Sequence, residues 1–197
     1  MSIMYRYPRV YDSVTNIIHG NNLRKRYQII ADEIGEDKKV FEPGCGTAMV
    51  HSFLHQGCTY EGWDLNSRFL AYCGKRGLRV FNKDIFDFAH YPECDVILLC
   101  DVLHHVIPEH ERLVAGAMEK AKKVIVSEPA RSIKPPRLFA PLLAGFAYLF
   151  GDYDGINSHF NQLKWDYDEA KLRHFFQCLG SRKTVKIGWD MIAVFEA

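Results

Sequence analysis

The residues best placed to do chemistry are Glu42-Pro43-Gly44-Cys45-Gly46-Thr47-Ala48 and three later carboxylates, Asp64, Asp84 and Asp101. Glycines that follow an apolar run let the backbone approach a bound molecule closely, because no Cβ stands in the way. A dinucleotide fingerprint would need its third glycine at Met49. Glu42 would also face the place a pyrophosphate occupies, and a carboxylate repels phosphate. It suits a ligand that has no phosphates and carries cationic groups, an ammonium and a sulfonium. Asp64 follows Gly44 by twenty residues, and Asp84 follows Asp64 by twenty more. A carboxylate at the first position can accept from both hydroxyls of a ribose. At the second it can accept from the exocyclic amine of adenine, with Leu65 and Ile85 offering apolar faces to the ring. Asp101 comes at the next such boundary, with Val102 beside it.

These residues need a frame that brings them to one edge. From Lys39 onward, short apolar runs alternate with helix-length segments: Val40–Glu42, Thr59–Asp64, Leu78–Asp84, Asp95–Asp101 and Lys123–Pro129. Continuous apolar strands separated by helices predict a parallel sheet in a three-layer α/β fold. Each of the four carboxylates then ends a strand, and Cys45 stands between the two glycines of the first turn, which runs into a helix. Pro108 opens another helix, running to Lys120. Thr184–Phe195 reads as two strands turning at 188–190, a closing β-hairpin. Val10–Ile34 reads as two helices broken at Gly20-Asn21-Asn22. Simpler readings exist: Gly44 and Gly46 as a mere tight turn, Asp64 and Asp84 as helix caps, and Asp101 as a cap whose neighbouring backbone makes the contact.

Taken together these segments resemble the class I S-adenosylmethionine-dependent methyltransferases, over roughly Lys39 to Pro129 and more loosely to the hairpin. E-P-G-C-G-T-A is similar to their glycine-rich first motif, G-W-D-L to their ribose-binding second strand, and D-V-L-H-H-V to the motif after their fourth strand. Ala48 departs from the family, which often has a third glycine there. The helical N-terminus with Tyr11-Asp12 looks most like enzymes that methylate small molecules, quinones and lipids. The N-P-P-Y-type motif of base-amine methyltransferases is absent at 101–104, and there is no Pro-Cys pair for attack on a pyrimidine carbon. The resemblance implies a Rossmann-like fold with a seven-stranded, mostly parallel sheet and a C-terminal antiparallel hairpin. It implies S-adenosylmethionine as cofactor, S-adenosylhomocysteine as product, and in-line transfer to a small, hydrophobic acceptor. Two other functions fit the same motifs: a protein methyltransferase, and a non-catalytic S-adenosylmethionine-binding regulatory protein.

Methyl transfer needs a base only when the acceptor carries a proton, so the motif leaves the catalytic residue unassigned. Candidates for the acceptor pocket are Tyr11, His104, His105, Tyr153 and His159. The two last belong to a long excursion, 130–165, read as a lid-like insertion. Within it, Leu138–Phe150 is a run of thirteen uncharged residues behind Arg131, Lys134 and Arg137. That run suits a buried lid helix, an apolar pocket wall, a peripheral membrane contact or a homodimer contact. No metal site is expected: His51 and His55 have helical spacing but no ligating acid, and His104 and His105 are adjacent.

Composition limits the partners. Twenty-five basic and 24 acidic residues leave a net charge of +1, which lacks the basic excess of a nucleic-acid binder. Arg24-Lys25-Arg26 reads as a solvated helix face. A hydrophobic fraction of 48% supports a core for one domain spanning 1–197. Six scattered cysteines without a C-x-x-C pair, and no signal-peptide pattern at the start, point to reduced thiols and a cytoplasmic location.

Overall fold

Side chains alternate across a strand, so Val96 and Leu98 face one side of their strand while Ile97 and Leu99 face the other. All four are buried, and a strand buried on both faces needs a layer on each side. The computed structural model, which describes residues 2–130 and 164–196, supplies both layers. Its strands are β1 (Lys39–Pro43), β2 (Thr59–Trp63), β3 (Val80–Phe81), β4 (Val96–Cys100), β5 (Lys123–Pro129), β6 (Lys183–Ile187) and β7 (Asp190–Glu196). They form one seven-stranded sheet in the order β3-β2-β1-β4-β5-β7-β6. The first five pair in parallel, while β7 runs antiparallel to both β5 and β6. The expected architecture, with its terminal hairpin, is the observed one.

Helices α1 (Ile3–Arg6), α2 (Pro8–His19) and α3 (Asn21–Ile34) precede the sheet. Gly20, at φ +52°, makes the break between α2 and α3. α3 lays Leu23, Tyr27, Ile30 and Ile34 against Val40, Val96, Leu98 and Ile125 on one face. The opposite face is covered by α5 (His110–Met118) and α6 (Glu169–Cys178), through Leu113, Val114, Leu172 and Phe176 packed on Phe41, Ile97, Leu99 and Val126. α4 (Ser67–Lys75) follows β2. The six cysteines are all free. Among the described residues no helix is long and apolar enough to cross a membrane.

Four expectations need correction. The glycine-rich turn leads only into a 3-10 turn, Val50–Phe53, because Ala48 takes a left-handed φ of +53° that interrupts the chain before a helix can start. The third strand shrinks from 78–84 to Val80–Phe81: among the described residues it is an edge strand paired only with β2, and Asn82 already turns its amide to the Asp64 carbonyl at 3.0 Å. α5 begins at His110, after a turn in which the Glu109 N–H donates to the Val106 carbonyl, so Pro108 lies ahead of the helix. Arg24 and Lys25 are exposed as expected, whereas Arg26 is wholly buried.

Of the excursion 130–165, all but Ala130 and residues 164–165 lies outside the described residues, with Tyr153, His159 and the run 138–150. Its two ends meet: the Trp165 indole N–H donates to the Pro129 carbonyl at 2.9 Å.

Candidate functional site

Parallel strands end together at the carboxyl edge of the sheet, and a cleft opens there. All ten residues expected at the cofactor line it: Glu42, Gly44, Cys45, Gly46, Asp64, Leu65, Asp84, Ile85, Asp101 and Val102. Four carboxylates thus converge from four successive parallel strands, and among the described residues no Lys or Arg lines the cleft.

Gly44, at φ +79°, could not be replaced without trouble: a Cβ there would lie 2.6 Å from Val102 Cγ2. The missing Cβ lets β1 and the chain after β4 come together. Asp64 holds the turn, its Oδ2 accepting from the Gly46 N–H at 2.8 Å and its Oδ1 from the Asn66 N–H at 2.7 Å. Asn66, not Asp64, caps α4. Two acceptor sites per oxygen leave the Asp64 carboxylate able to take further donors. Asp84 closes a tight turn by accepting the Phe86 N–H at 2.9 Å, and Tyr91 steadies the next residue by donating to the Ile85 carbonyl.

Asp101 does not cap the turn that follows. It stands at φ +54° and pairs with Arg26, whose Nη2 lies 2.8 Å from its Oδ2. Arg26 also donates from Nε to Ser127 Oγ at 2.8 Å and faces Asp190 Oδ1 at 3.6 Å. Burial opposes its charge, yet Asp101, Cys100 and Asp190 together hold its pKa well above the usual range.

Glu42 is 3% exposed and accepts a hydrogen bond from Tyr60. Burial pushes its carboxyl from 4.5 up to about 8; the Tyr60 hydrogen bond opposes that rise, while the charges of Asp101 and Asp64 add to it. A folded pKa above the unfolded one means that the contribution to stability is full below about 4.5 and is lost as pH rises through about 8. A cationic ligand reverses this preference, since it binds the carboxylate. Calorimetry of S-adenosylhomocysteine at pH 7 in buffers of differing ionisation enthalpy should therefore show about one proton released per ligand bound. Glu42→Gln should abolish the release; buffer-independent heats in the unaltered protein would show that Glu42 does not meet the cation.

The two adjacent histidines part company. His105 lines the cleft, with Nε2 3.3 Å from the Tyr5 hydroxyl. His104 does not line it: Nδ1 donates to Glu128 Oε2 at 2.7 Å, and the ring packs on Trp165. A 3-10 turn, Leu103–His105, directs successive side chains differently, which adjacency in sequence conceals. Tyr11, the other acceptor-pocket candidate among the described residues, also lines the cleft. Residues missed from sequence include Tyr5, Tyr27, Asn66 and Phe69 in the wall, and Arg26 and Glu128 behind it.

Comparison with known proteins agrees with this geometry. A family model described as "Methionine biosynthesis protein MetW" matches residues 24–134, just over half of the chain. A curated relative, the trans-aconitate 2-methyltransferase of Mycolicibacterium gilvum (strain PYR-GCK), is 27% identical over 106 residues, covering 51% of this chain and 41% of that protein. The chain thus spans about two fifths of the length of the curated relative it matches. Two solved structures share the fold. The CurJ carbon methyltransferase superposes with a TM-score of 0.64 at 15% identity, over 95% of this chain and 58% of that one. The N-terminal domain of EvdMO1 with SAH bound gives 0.58 at 16%, over 92% and 83%. The chain has the Rossmann-like fold of class I S-adenosylmethionine-dependent methyltransferases and belongs to the MetW family.

Proposed function

We propose that this protein binds S-adenosylmethionine in the strand-end cleft and transfers its methyl group to a small, largely apolar acceptor. One observation carries the reading: Glu42, Asp64, Asp84 and Asp101 surround the Gly44–Gly46 turn in a cleft that no Lys or Arg lines among the described residues. Such a cleft repels phosphates and attracts cations. In this reading Glu42 faces the ammonium group, Asp64 the ribose hydroxyls, and Asp84 the adenine amine, with Leu65 and Ile85 flanking the ring. The backbone around Cys45 and Val102 approaches the ligand closely. The cofactor, when bound, supplies an electrophilic methyl on a sulfonium.

Beyond the carboxylates, the wall is made by Tyr5, Tyr11, Tyr27, Phe69, His105 and Val106. Aromatic and apolar walls favour an uncharged ring or chain over a polyanion. If the acceptor is a hydroxyl, His105 is the group placed to take its proton.

Titration calorimetry with S-adenosylmethionine, S-adenosylhomocysteine and NAD tests the cofactor assignment. Saturable binding of the first two and no heat from NAD is expected. Binding of NAD with no response to the others would overturn it.

A further inference from the structure

The glycine-rich turn does not hold its shape alone. Gly46 and Ala48 both take φ +53°, and the Cβ of Ala48 makes that conformation unfavourable. Such conformations persist where the surroundings over-determine them. Thr47, between the two, is 1% exposed and is fastened from two directions. Its hydroxyl donates to Asp12 Oδ1 at 2.6 Å, and its carbonyl accepts from Arg76 Nη1 at 2.7 Å. The other oxygen of Asp12 accepts from the Tyr72 hydroxyl at 3.0 Å. One carboxylate on α2 thereby joins the turn to α4.

We infer that Asp12 is a positioning residue for the cofactor turn, a clamp that lies outside the family-matched stretch 24–134 and sets the shape in which Gly44–Ala48 receives the ligand. This rests on the cofactor reading above. Two features support it. First, the turn is gripped from both sides: Asp64 holds the Gly46 N–H from within the cleft while Asp12 holds Thr47 from outside. Second, the N-terminal helices are fastened at another point of the same assembly. Asn66, whose own N–H bonds Asp64, donates from its side-chain amide to the Tyr5 carbonyl at 3.0 Å. Tyr5 and Tyr11 then pack on Phe69 with ring centroids 5.7 and 5.1 Å away, and all three line the cleft. The carboxylate type matters. Two hydroxyl donors arrive on two different oxygens, and only Asp or Glu offers acceptors on both.

Hydrogen exchange and calorimetry together test the clamp. In the ligand-free protein, Asp12→Ala should speed amide exchange across Gly44–Ala48 and leave the amides of β4 and β5 unchanged. The same variant should bind S-adenosylhomocysteine about tenfold more weakly, the consequence of losing hydrogen bonds to a charged acceptor. Thr47→Val should weaken binding too, and the double variant should be no worse than Asp12→Ala alone, since both remove one contact. Unchanged exchange at Gly44–Ala48, or losses that simply add, would overturn the inference. If the unaltered protein gives no heat with S-adenosylhomocysteine, the cofactor reading fails, and the ligand-free exchange result still decides for or against the clamp.

Discussion

Arg26→Leu is expected to lower the unfolding free energy by about 3–5 kcal/mol, the range for removing one partner of a buried ion pair. Arg26 is wholly buried and is the shared cation of two carboxylates, Asp101 at 2.8 Å and Asp190 at 3.6 Å. Leucine would fill much of the space but leave Asp190, itself 0% exposed, without its guanidinium, and among the described residues His19 Nδ1 at 2.9 Å would be its remaining side-chain partner. Ser127 Oγ and Cys100 Sγ would lose their donor as well. Arg26→Lys should cost less, because it keeps the charge, yet still more than a surface change. A single ammonium cannot reproduce the fork that reaches Asp101, Ser127 and Asp190 together. Urea unfolding of the ligand-free protein measures both. A loss under about 1 kcal/mol for Arg26→Leu would show that the pair only balances its desolvation. A second readout separates site from fold. Asp101 keeps its left-handed φ of +54° beside Arg26 at the cleft, so ligand affinity should fall more in Arg26→Leu than in Arg26→Lys.

Arg26 departs from the solvated face that its charge run predicts. Its neighbours Arg24 and Lys25 made a charge run, and charge runs usually face water. The helical period said otherwise: Leu23, Arg26, Tyr27, Ile30 and Ile34 share one face of α3, and all are buried. A lone arginine on an otherwise apolar stripe is the signal for a buried ion pair, with partners far off in sequence. Those partners, Asp101 and Asp190, come from β4's end and the hairpin tip, and no local pattern links them.

The central sheet was readable because β4 and the middle of β5 are continuous apolar runs, the mark of strands covered on both faces. β3 was overestimated because an edge strand has a neighbour on one side only, so its pairing stops sooner than its composition suggests. The four strand-end carboxylates were legible for a topological reason: in parallel sheets every strand delivers its last residue to the same edge. Asp12 carried no such signal. It reaches Thr47 across 35 residues, and only the packing of α2 against the turn makes it part of the site. His104 and His105 were indistinguishable in sequence, since the direction of each ring depends on the turn between β4 and α5.

That turn is the ground for the second large effect, expected at Glu128. Its side chain is 0% exposed and accepts three hydrogen bonds from the chain after β4. Oε1 takes the N–H groups of Val102 and Leu103, each at 2.7 Å, and Oε2 takes His104 Nδ1 at 2.7 Å. Glu128→Ala would leave all three donors buried without an acceptor. With orphaned groups costing about 1–3 kcal/mol each, and partial relaxation, the expected loss is about 3–4 kcal/mol. Glu128→Gln should lose only about 1 kcal/mol, because its carbonyl can still serve Val102 and Leu103. Its amide then faces His104, which must present Nδ1 as an acceptor and move its proton to Nε2. That change of tautomer gives the pair a signature beyond stability: the ring nitrogen shifts of His104 should exchange roles in Glu128→Gln while the fold stays intact. Ligand affinity should separate the variants too. Val102 packs against Gly44, so Glu128→Ala loosens the wall that Gly44 approaches, whereas Glu128→Gln keeps it. Equal, small losses in both variants, with S-adenosylhomocysteine binding unaltered, would mean that the turn is held by its own hydrophobic contacts through Leu103 and Ile107 and that Glu128 is dispensable to it.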